Sequence, residues 1–343
     1  MRIAIIYNLK RKNVSKNRPN DFCSEFDSLK TVNSIAGALK EKGHKVILLE
    51  ANEKLLDYLP KNRGKIDFVF NISEGIGGAS RESRVPAILD FLKIPYTGSG
   101  VFPLALTLDK AYTKKILKAE KILTPKFQLF TSGQERLNPD LKFPLIAKPN
   151  AEGSAKGIHC SSVVKDKKNL YRMVKKIMKQ YNQPVIVEEF IKGRELTVGV
   201  VGNGKLNVLP VLEIDFSSCD RSGEYFYSWR MKEFQGDVKK HLTPTFHCPA
   251  KLSPFLREKI KNLALKTHEV TGCLDVSRTD FRLDKYNRPY VLEINPLPGL
   301  DPEESNFPLM AKAAGIKYAD LVDMILKAAV DRSNKRDKKG GIG

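Results

Sequence analysis

The first hundred residues alternate short apolar runs with amphipathic segments. Three of the runs have the length and composition of buried strands, at residues 2–7, 45–50 and 66–70. Apolar positions over 27–42 recur at helical spacing up to Gly43, and a second helix is predicted over 85–92. Because strands that alternate with helices build parallel sheets, we predict a wound parallel α/β domain over residues 1–100.

The pattern changes after residue 100. Two helices, over 110–119 and 166–181, and a strand over 144–148 are predicted next, and they indicate a central α+β domain at 101–184. From residue 185 onward, apolar runs are paired around turn signals. This pairing predicts an antiparallel sheet in a C-terminal domain at 185–330.

Charge is the most unusual feature of the composition. Lys and Arg number 59 against 39 Asp and Glu, a net charge of +20. Such a charge attracts nucleic acid, anionic membranes and small phosphorylated ligands alike, so it does not choose among them. Part of the surplus lies in residues 331–343, whose basic, glycine-rich composition predicts a flexible tail.

Cysteine usage and the absence of long apolar runs limit the class of protein. The five cysteines lie far apart without a C-x-x-C pair, which argues against a zinc site or a disulfide framework and favours the reducing cytoplasm. No apolar run reaches about 18 residues, and the short run at the N-terminus leads into a lysine-rich stretch. Neither a membrane span nor a signal peptide is predicted.

A strand that ends in Lys148 leads directly into a loop of small and polar residues, 150–157, which we call the glycine loop. Backbone amides in such a loop can approach an anion, so it is a candidate phosphate cover, with an ordinary turn as the alternative. The loop lacks the G-x-x-x-x-G-K-[ST] order, and no G-x-G-x-x-G follows the first strand. Neither a P-loop ATPase nor a Rossmann dehydrogenase is therefore supported.

A second cluster lies on two strands that flank a predicted turn. Alternation along a strand puts Arg278 and Asp280 on one face, and Glu293 and Asn295 likewise share a face. Two carboxylates and an amide oxygen suit a Mg²⁺ ion that bridges nucleotide phosphates, with a surface salt-bridge lattice as the alternative. Arg278 would neutralise charge that develops on a transferring phosphoryl group or an oxyanion.

A third cluster, residues 188–195, combines a strand, a tight turn and a polar end. The Glu195 carboxylate can accept hydrogen bonds from two ribose hydroxyls, and the backbone around 189–191 can face an adenine edge. Taken by itself, the segment reads as an edge strand with a solvated face.

The order of these clusters is similar to that of the ATP-grasp fold, in which two α+β units hold ATP between them, and most closely resembles the D-alanine–D-alanine ligases. The clearest stretches are residues 95–100, 109–110, 148–157, 188–198, 278–284 and 292–299. The resemblance covers residues 2–327. It implies an ATP-dependent carboxylate–amine ligase that works through an acyl phosphate with Mg²⁺ or Mn²⁺. Its implied substrate is D-alanine, for peptidoglycan precursors, with another dipeptide or amino-acid ligase as the alternative.

The resemblance also implies roles for individual residues. The nucleotide would contact Lys110, Lys148, Glu188, Phe190, Ile191, Glu195 and Lys232. The metal would be held by Asp280, Glu293 and Asn295. The reaction would use Arg278 for the tetrahedral intermediate, Ser154 near the reacting centre and Glu25 for the first substrate's amine. Ser305 and Asn306 would adjoin the second substrate's carboxylate. Small amino acids are the implied partners, a homodimer is compatible with them, and neither nucleic acid nor membrane is implied.

Two segments depart from the family's pattern. The usual His-Gly and Gly-Glu-Asp-Gly loop is replaced by residues 71–75 and 81–84, and Glu233 stands where a Tyr is common. If Glu233 faces the pocket, we expect an amine substrate larger or more basic than alanine. The alternative is that Glu233 points to solvent or pairs with a lysine.

A nucleic-acid-binding protein on the same fold is the alternative from a different class, and the net charge motivates it. One Trp, an aromatic content of 8% and lysines spread along helices argue against it. Steeply salt-dependent binding of single or double strands would favour it.

Overall fold

The computed structural model describes residues 1–11 and 19–338. The N-terminal sheet is parallel, in the order β2–β1–β3, with β1 (Arg2–Tyr7), β2 (Lys45–Glu50) and β3 (Phe68–Ile72). Its helices are α1 (Leu29–Glu41), α2 (Leu55–Asn62) and α3 (Arg84–Phe91). Ser28 starts α1, because its side chain accepts a hydrogen bond from the Thr31 amide. The predicted wound parallel unit is confirmed.

The central sheet is antiparallel and has the order β4–β7–β5–β6. Its strands are β4 (Phe127–Phe130), β5 (Leu145–Pro149), β6 (Val163–Val164) and β7 (Val185–Glu189). The helices of this part of the chain are α4 (Val101–Leu108), α5 (Lys110–Ala119) and α6 (Lys167–Tyr181). The domain boundary predicted between residues 184 and 185 is wrong, since β7 belongs to this sheet. Strand β7 is paired at both edges, with β4 and with β5, and residues 185–188 are buried.

The C-terminal sheet has the order β11–β10–β8–β12–β13, with β9 paired to β8. Its strands are β8 (Glu195–Val201), β9 (Asn207–Val208), β10 (Leu212–Asp215), β11 (Thr245–His247), β12 (Val276–Leu283) and β13 (Pro289–Asn295). The helices here are α7 (Trp229–Glu233), α8 (Pro254–Val270), α9 (Asn306–Ala313) and α10 (Tyr318–Lys338). The antiparallel sheet is as predicted, and Asp280 on β12 pairs directly with Glu293 on β13.

Helix α10 continues into the segment for which a flexible tail was predicted. Arg332 Nη2 lies 2.7 Å from Asp275 Oδ2 and donates to Tyr96 O at 2.9 Å. The prediction is therefore wrong for residues 331–338, because a distant buried carboxylate gives a basic side chain a partner that local composition does not reveal. Residues 339–343 of the predicted tail lie outside the described residues.

The N-terminal sheet and the C-terminal helices share one apolar core. Ile3 and Ile5 of β1 belong to the same buried cluster as Phe307 of α9 and Leu321 of α10. This continuity joins the first and third parts of the chain around the cavity described below. In residues 1–11 and 19–338, no helix is both long enough and apolar enough to cross a membrane.

Candidate active site

All of the candidate residues line one cavity of about 430 Å³, to which all three sheets contribute. These residues are Glu25, Lys110, Lys148, Ser154, Glu188, Phe190, Ile191, Glu195, Lys232, Glu233, Arg278, Asp280, Glu293, Asn295, Ser305 and Asn306. Residues distant in sequence thus converge on one space, and their individual roles remain predictions.

Two sets of polar and charged residues lie around the cavity. They differ in the backbone that carries them, which is regular in one set and mostly irregular in the other. The strand wall is carried by strands of the central and C-terminal sheets and consists of Lys148, Glu188, Asp280, Glu293 and Asn295. The loop wall is carried by irregular segments and a short helical turn and consists of Glu25, Glu74, Arg81, Glu82, Glu152 and Lys156.

Lys148 and Glu188 form a buried ion pair between neighbouring strands. Lys148 Nζ donates to Glu188 Oε2 at 2.8 Å, and Lys114 Nζ lies 3.4 Å from Glu188 Oε1. Burial opposes ionisation of Glu188, but the charges of the two lysines bring its pKa below the ordinary value. Sequence analysis missed Lys114, whose pKa burial lowers to about 8. Its position one helical turn after Lys110 was the available signal.

An aromatic surface lies beside this pair. The Phe190 ring packs edge-on against Tyr225 and Phe226, with ring centres 5.8 and 5.6 Å away. The Arg282 guanidinium lies 4.8 Å from the centre of the Phe190 ring and 4.0 Å from Glu195 Oε2. Aromatic faces with a few charged groups beside them suit a heterocycle that is linked to a sugar.

Asp280 is the most strongly oriented carboxylate of the strand wall. Arg278 donates to it twice, from Nε to Oδ1 at 2.9 Å and from Nη2 to Oδ2 at 2.8 Å. Thr197 Oγ1 donates to Oδ1 at 2.6 Å, and Asn295 Nδ2 donates to Oδ2 at 3.1 Å. Burial opposes the charge of Arg278, but the adjoining Asp280 carboxylate raises its pKa above the ordinary value. The two side chains therefore form a bidentate ion pair in a fixed geometry.

Glu293 completes a set of oxygen donors with Asp280 and Asn295. Lys110 Nζ lies 3.6 Å from Glu293 Oε2. Burial disfavours the charge of Glu293, but Lys110 and then Lys148 lower its pKa. The Asn295 amide donates through Nδ2, which leaves its Oδ1 as an acceptor. This donor set fits Mg²⁺, a hard cation that keeps several waters and binds through one or two carboxylates.

A cluster of three or more His, Cys, Asp or Glu side chains that could hold a metal ion is absent from the described part of the chain. A divalent cation at the strand wall would therefore rest on two carboxylates, an amide oxygen and ligands from outside the protein. Phosphate oxygens of a nucleotide are ligands of this kind.

The glycine loop is fastened at several points. Ser154, with a φ of +49°, accepts a hydrogen bond from Lys232 Nζ at 3.2 Å. Gly157 N donates to Asp21 Oδ2 at 2.7 Å. A side chain at Gly157, where φ is +71°, would lie 2.5 Å from Pro149 Cγ, so only glycine fits there. These contacts place a serine hydroxyl and a lysine at the cavity.

An ion cluster buried in the loop wall was not foreseen from the sequence. Arg81 Nη2 lies 2.5 Å from Glu25 Oε1 and 3.1 Å from Glu152 Oε2. Lys156 Nζ lies 3.1 Å from Glu25 Oε2 and also contacts Glu152. Gly153 N donates to Glu25 Oε1 at 2.6 Å. Both oxygens of Glu25, the residue predicted to bind the first substrate's amine, are thus already paired.

Two other carboxyl groups of the loop wall face the cavity. Glu82 is 7% exposed and Glu74 is half-buried, and both line the cavity. Burial and then the charge of Glu25 raise the pKa of Glu82 to about 8. Burial and then the charge of Glu82 raise the pKa of Glu74 well above its ordinary value. Sequence analysis missed both residues, although each lies in a segment that departs from the family's pattern.

Glu233 pairs with a lysine from the N-terminal part of the chain. Lys10 Nζ donates to its two carboxylate oxygens at 2.9 and 3.0 Å, and both residues line the cavity. Glu233 thus pairs with a lysine and also lines the cavity, and its role toward the substrate stays a prediction. Nearby, Ser305 Oγ accepts from Asp301 N at 3.1 Å, so the serine predicted for the second substrate is oriented by its own loop.

The comparisons with known proteins agree with this geometry. Residues 116–327 match the family model described as the D-ala D-ala ligase C-terminus. The D-alanine–D-alanine ligase of Carboxydothermus hydrogenoformans is 35% identical over 317 residues, which cover 90% of this chain and 95% of that protein. The uncharacterized protein y4sG of Sinorhizobium fredii is 34% identical over 305 residues, 86% of each chain.

A solved structure is also similar. The crystal structure of the D-alanine–D-alanine ligase from Bacillus anthracis complexed with ATP superposes with a TM-score of 0.74 at 28% identity. The match covers 98% of this chain and 99% of that one. The similarity therefore includes the N-terminal sheet as well as the two domains that follow it.

Proposed function

The chain belongs to the D-alanine–D-alanine ligase family, and from that premise we propose that it joins two D-alanine molecules to form D-alanyl-D-alanine, with conversion of ATP to ADP and phosphate. A carboxylate oxygen of the first D-alanine attacks the terminal phosphorus of ATP, and ADP leaves. The amine of the second D-alanine, after losing a proton, attacks the carbonyl carbon of the acyl phosphate. Phosphate leaves and the amide bond is formed.

The strand wall supports the first step. Lys148 and Lys110 carry positive charge to the side of the cavity where Glu293 lies, and a nucleotide's phosphates would be neutralised there. A divalent cation held by Asp280, Glu293 and Asn295 would neutralise phosphate charge and orient the transferring group. We assign the heterocycle and ribose to the surface around Phe190 and Glu195.

The second step needs positive charge near the reacting carbonyl. Arg278 lies on the same wall, and its bidentate contact with Asp280 keeps its guanidinium fixed. Lys232 and Ser154 close the cavity from the side of the glycine loop. Much of the rate would come from holding two anionic reactants and a nucleophile in one enclosed space, so no covalent nucleophile is needed.

The observation that carries this proposal is the register of β12 and β13, which puts Asp280 opposite Glu293 beside Lys110 and Arg278. The test is phosphate release from Mg-ATP with D-alanine as the sole amino acid, with the product identified by mass spectrometry. We expect rapid release and D-alanyl-D-alanine. Release that requires a different amino acid would contradict the D-alanine assignment and leave an ATP-dependent ligase of the same family.

A second candidate, a ligase for another amino-acid pair, is favoured by one observation. The carboxylate predicted to bind the first substrate's amine is engaged by Arg81 and Lys156, so the substrate pocket differs from expectation. A panel of D- and L-amino acids, singly and in pairs, with phosphate release as the readout, decides between the two candidates.

We place this reaction in the cytoplasm, where its product would enter peptidoglycan precursor synthesis. Five free cysteines, Cys23, Cys160, Cys219, Cys248 and Cys273, support a reducing compartment. Binding of nucleic acid is not part of this proposal.

A further inference from the structure

The loop wall contains two kinds of carboxyl group. Glu25 and Glu152 share Arg81 and Lys156, and the buried Glu25 side chain is only 2% exposed. Each acid in this cluster has a cation as its partner, and Glu25 accepts from the Gly153 amide as well. A buried carboxylate with both oxygens paired has little remaining capacity for a further ammonium group. Glu25 is therefore suited to holding the glycine loop in place.

Glu82 lies next to Arg81 in sequence but has a different environment. It is 7% exposed and lines the cavity, and within the described residues it makes no hydrogen bond or ion pair. Lys110 and Arg81 act on its charge from a distance and lower its pKa, but burial and the charge of Glu25 outweigh them and leave the pKa at about 8. A buried carboxyl without a partner carries a free-energy cost that a cationic ligand would remove.

Glu74 faces the same part of the cavity. It too has no hydrogen-bond or ion-pair partner in the part of the chain that the structure describes. The charge of Glu82 raises its pKa, and its own charge raises the pKa of Lys232 against the larger effect of burial. Lys232 contacts Ser154 of the glycine loop. Glu74 therefore links the unpaired Glu82 to the end of the cavity where the acyl phosphate would form.

The local backbone holds these two acids in place. Gly75 has a φ of +74°, and a side chain there would lie 2.5 Å from the carbonyl oxygen of Arg81. The Gly75 amide donates to Asn8 Oδ1 at 2.8 Å, which ties the segment to the end of β1. This close contact holds the residue after Glu74 against the residue before Glu82, and both glutamates line the cavity.

We propose that Glu82 and Glu74 form the subsite that binds the ammonium group of the carboxylate-donating amino acid, in place of Glu25. This specificity-determining role rests on the proposed function, because it assumes that an amino acid is activated at this end of the cavity. The ammonium group would supply the positively charged partner that neither carboxyl group has within the described residues. Glu25, paired with Arg81 and Lys156, keeps a structural role.

The test uses competition between two carboxylate donors of nearly the same shape. D-lactate carries a hydroxyl where D-alanine carries an ammonium group. With D-alanine as acceptor, equal concentrations of the two donors yield D-alanyl-D-alanine and D-lactyl-D-alanine, which mass spectrometry distinguishes. Their ratio measures the preference for an ammonium group at the first position and does not depend on how much of the enzyme is active.

Glu82→Gln removes the charge while keeping the shape, and Glu25→Gln is the matched control on the same wall. We expect Glu82→Gln to lower the ratio about tenfold or more, because a hydrogen bond to a charged group is lost. Glu74→Gln should lower it in the same direction, whereas Glu25→Gln should lower the total rate and leave the ratio unchanged. The KM for ATP of Glu82→Gln should stay near that of the parent, which verifies that the nucleotide site is folded.

The outcomes separate the two proposals. An unchanged ratio in Glu82→Gln, or a ratio lowered only in Glu25→Gln, overturns the subsite while D-alanyl-D-alanine formation by the parent still supports the proposed function. If the parent forms no dipeptide from D-alanine, the proposed function fails, and the subsite that rests on it falls as well.

Discussion

The strand wall and the loop wall surround the same cavity, but their charges are organised differently. In the strand wall, Glu188 lies between two lysines, and Asp280 binds Arg278 through both oxygens. In the loop wall, Glu25 is saturated by cations, while Glu82 lies buried without one. Each carboxylate of the strand wall has a cation of the protein beside it, whereas Glu74 and Glu82 of the loop wall have no ion-pair partner within the described residues.

We interpret this difference as a division of roles, in which the strand wall carries out the reaction and the loop wall selects the substrate. Side chains on regular strands keep their relative positions because the ladder sets the register, so they suit a reaction shared across a family. Side chains on loops can be exchanged without disturbing a sheet, so substrate selection can change there. The departures from the family's pattern at residues 71–75 and 81–84 lie in or beside the loop wall, which agrees with this division.

The largest expected effect comes from breaking the strand wall. Glu293→Gln should lower phosphate release by about a thousandfold at saturating Mg-ATP, because a ligand charge beside the transferring phosphoryl group is lost. The fold should be unchanged. Glu258→Gln, on the exposed face of α8, is the control for removing a glutamate charge. Turnover of Glu293→Gln near the parent rate would contradict the metal site.

Removing one of the two cations of the loop wall tests its buried cluster. Arg81→Met should lower the free energy of unfolding by about 3–5 kcal/mol, since Glu25 and Glu152 would remain buried with one cation fewer. Arg84→Met is the control. That arginine is exposed, and within the described residues its side chain donates hydrogen bonds to the carbonyls of Ile76 and Gly77, so about 1 kcal/mol or less is expected. Urea unfolding measures both, and equal losses would refute a special role for Arg81.

The unpaired carboxyl group of Glu82 should make the free energy of unfolding depend on pH. This effect is expected to be smaller than the two preceding ones. Because burial and then Glu25 raise the pKa of Glu82 from 4.5 to about 8, the folded state keeps a proton that the unfolded state loses. Stability should therefore fall as pH rises from 4.5 to about 8, with a slope of up to about 1.4 kcal/mol per pH unit from this group.

Glu82→Gln should lack this component of the pH dependence. The neighbouring Glu74 contributes with the same sign and remains, as do Arg81, Lys110 and Glu152, whose charges also act on Glu82. The measurement is the difference between parent and variant unfolding free energies across that pH range. A difference that does not vary with pH would show that Glu82 is ionised in the folded protein.

The smallest expected effect concerns the ion pair of Lys10 and Glu233. The side chains of Lys10 and Glu233 are 41% and 26% exposed, so a double-mutant cycle of Lys10→Met and Glu233→Gln should give a coupling of about 0.2–1 kcal/mol, reduced by added salt. A larger coupling would indicate that the pair fastens α7 across the cavity.

Most of the strand wall could be predicted from the sequence. Alternation along two strands around a short turn puts Asp280 beside Glu293, and the structure pairs them in register. The position of β7 could not be predicted, because an apolar run shows that a strand is buried but not which sheet it joins. The tail prediction was wrong at Arg332 for a related reason. Its partner Asp275 is distant in sequence, so a local pattern does not reveal the contact.

The sequence by itself determined the order of elements, the parallel N-terminal unit and many of the residues that line the cavity, because periodicity and motif order are local or collinear properties. Only the tertiary structure decided which carboxyl groups are paired. Glu25 and Glu82 are both glutamates in polar segments, and nothing in their neighbourhoods along the chain distinguishes them. Folding brings Arg81 and Lys156 to Glu25 and leaves Glu82 facing the cavity. The pairing of a buried charge depends on distances in space, and these depend on the packing of the whole chain.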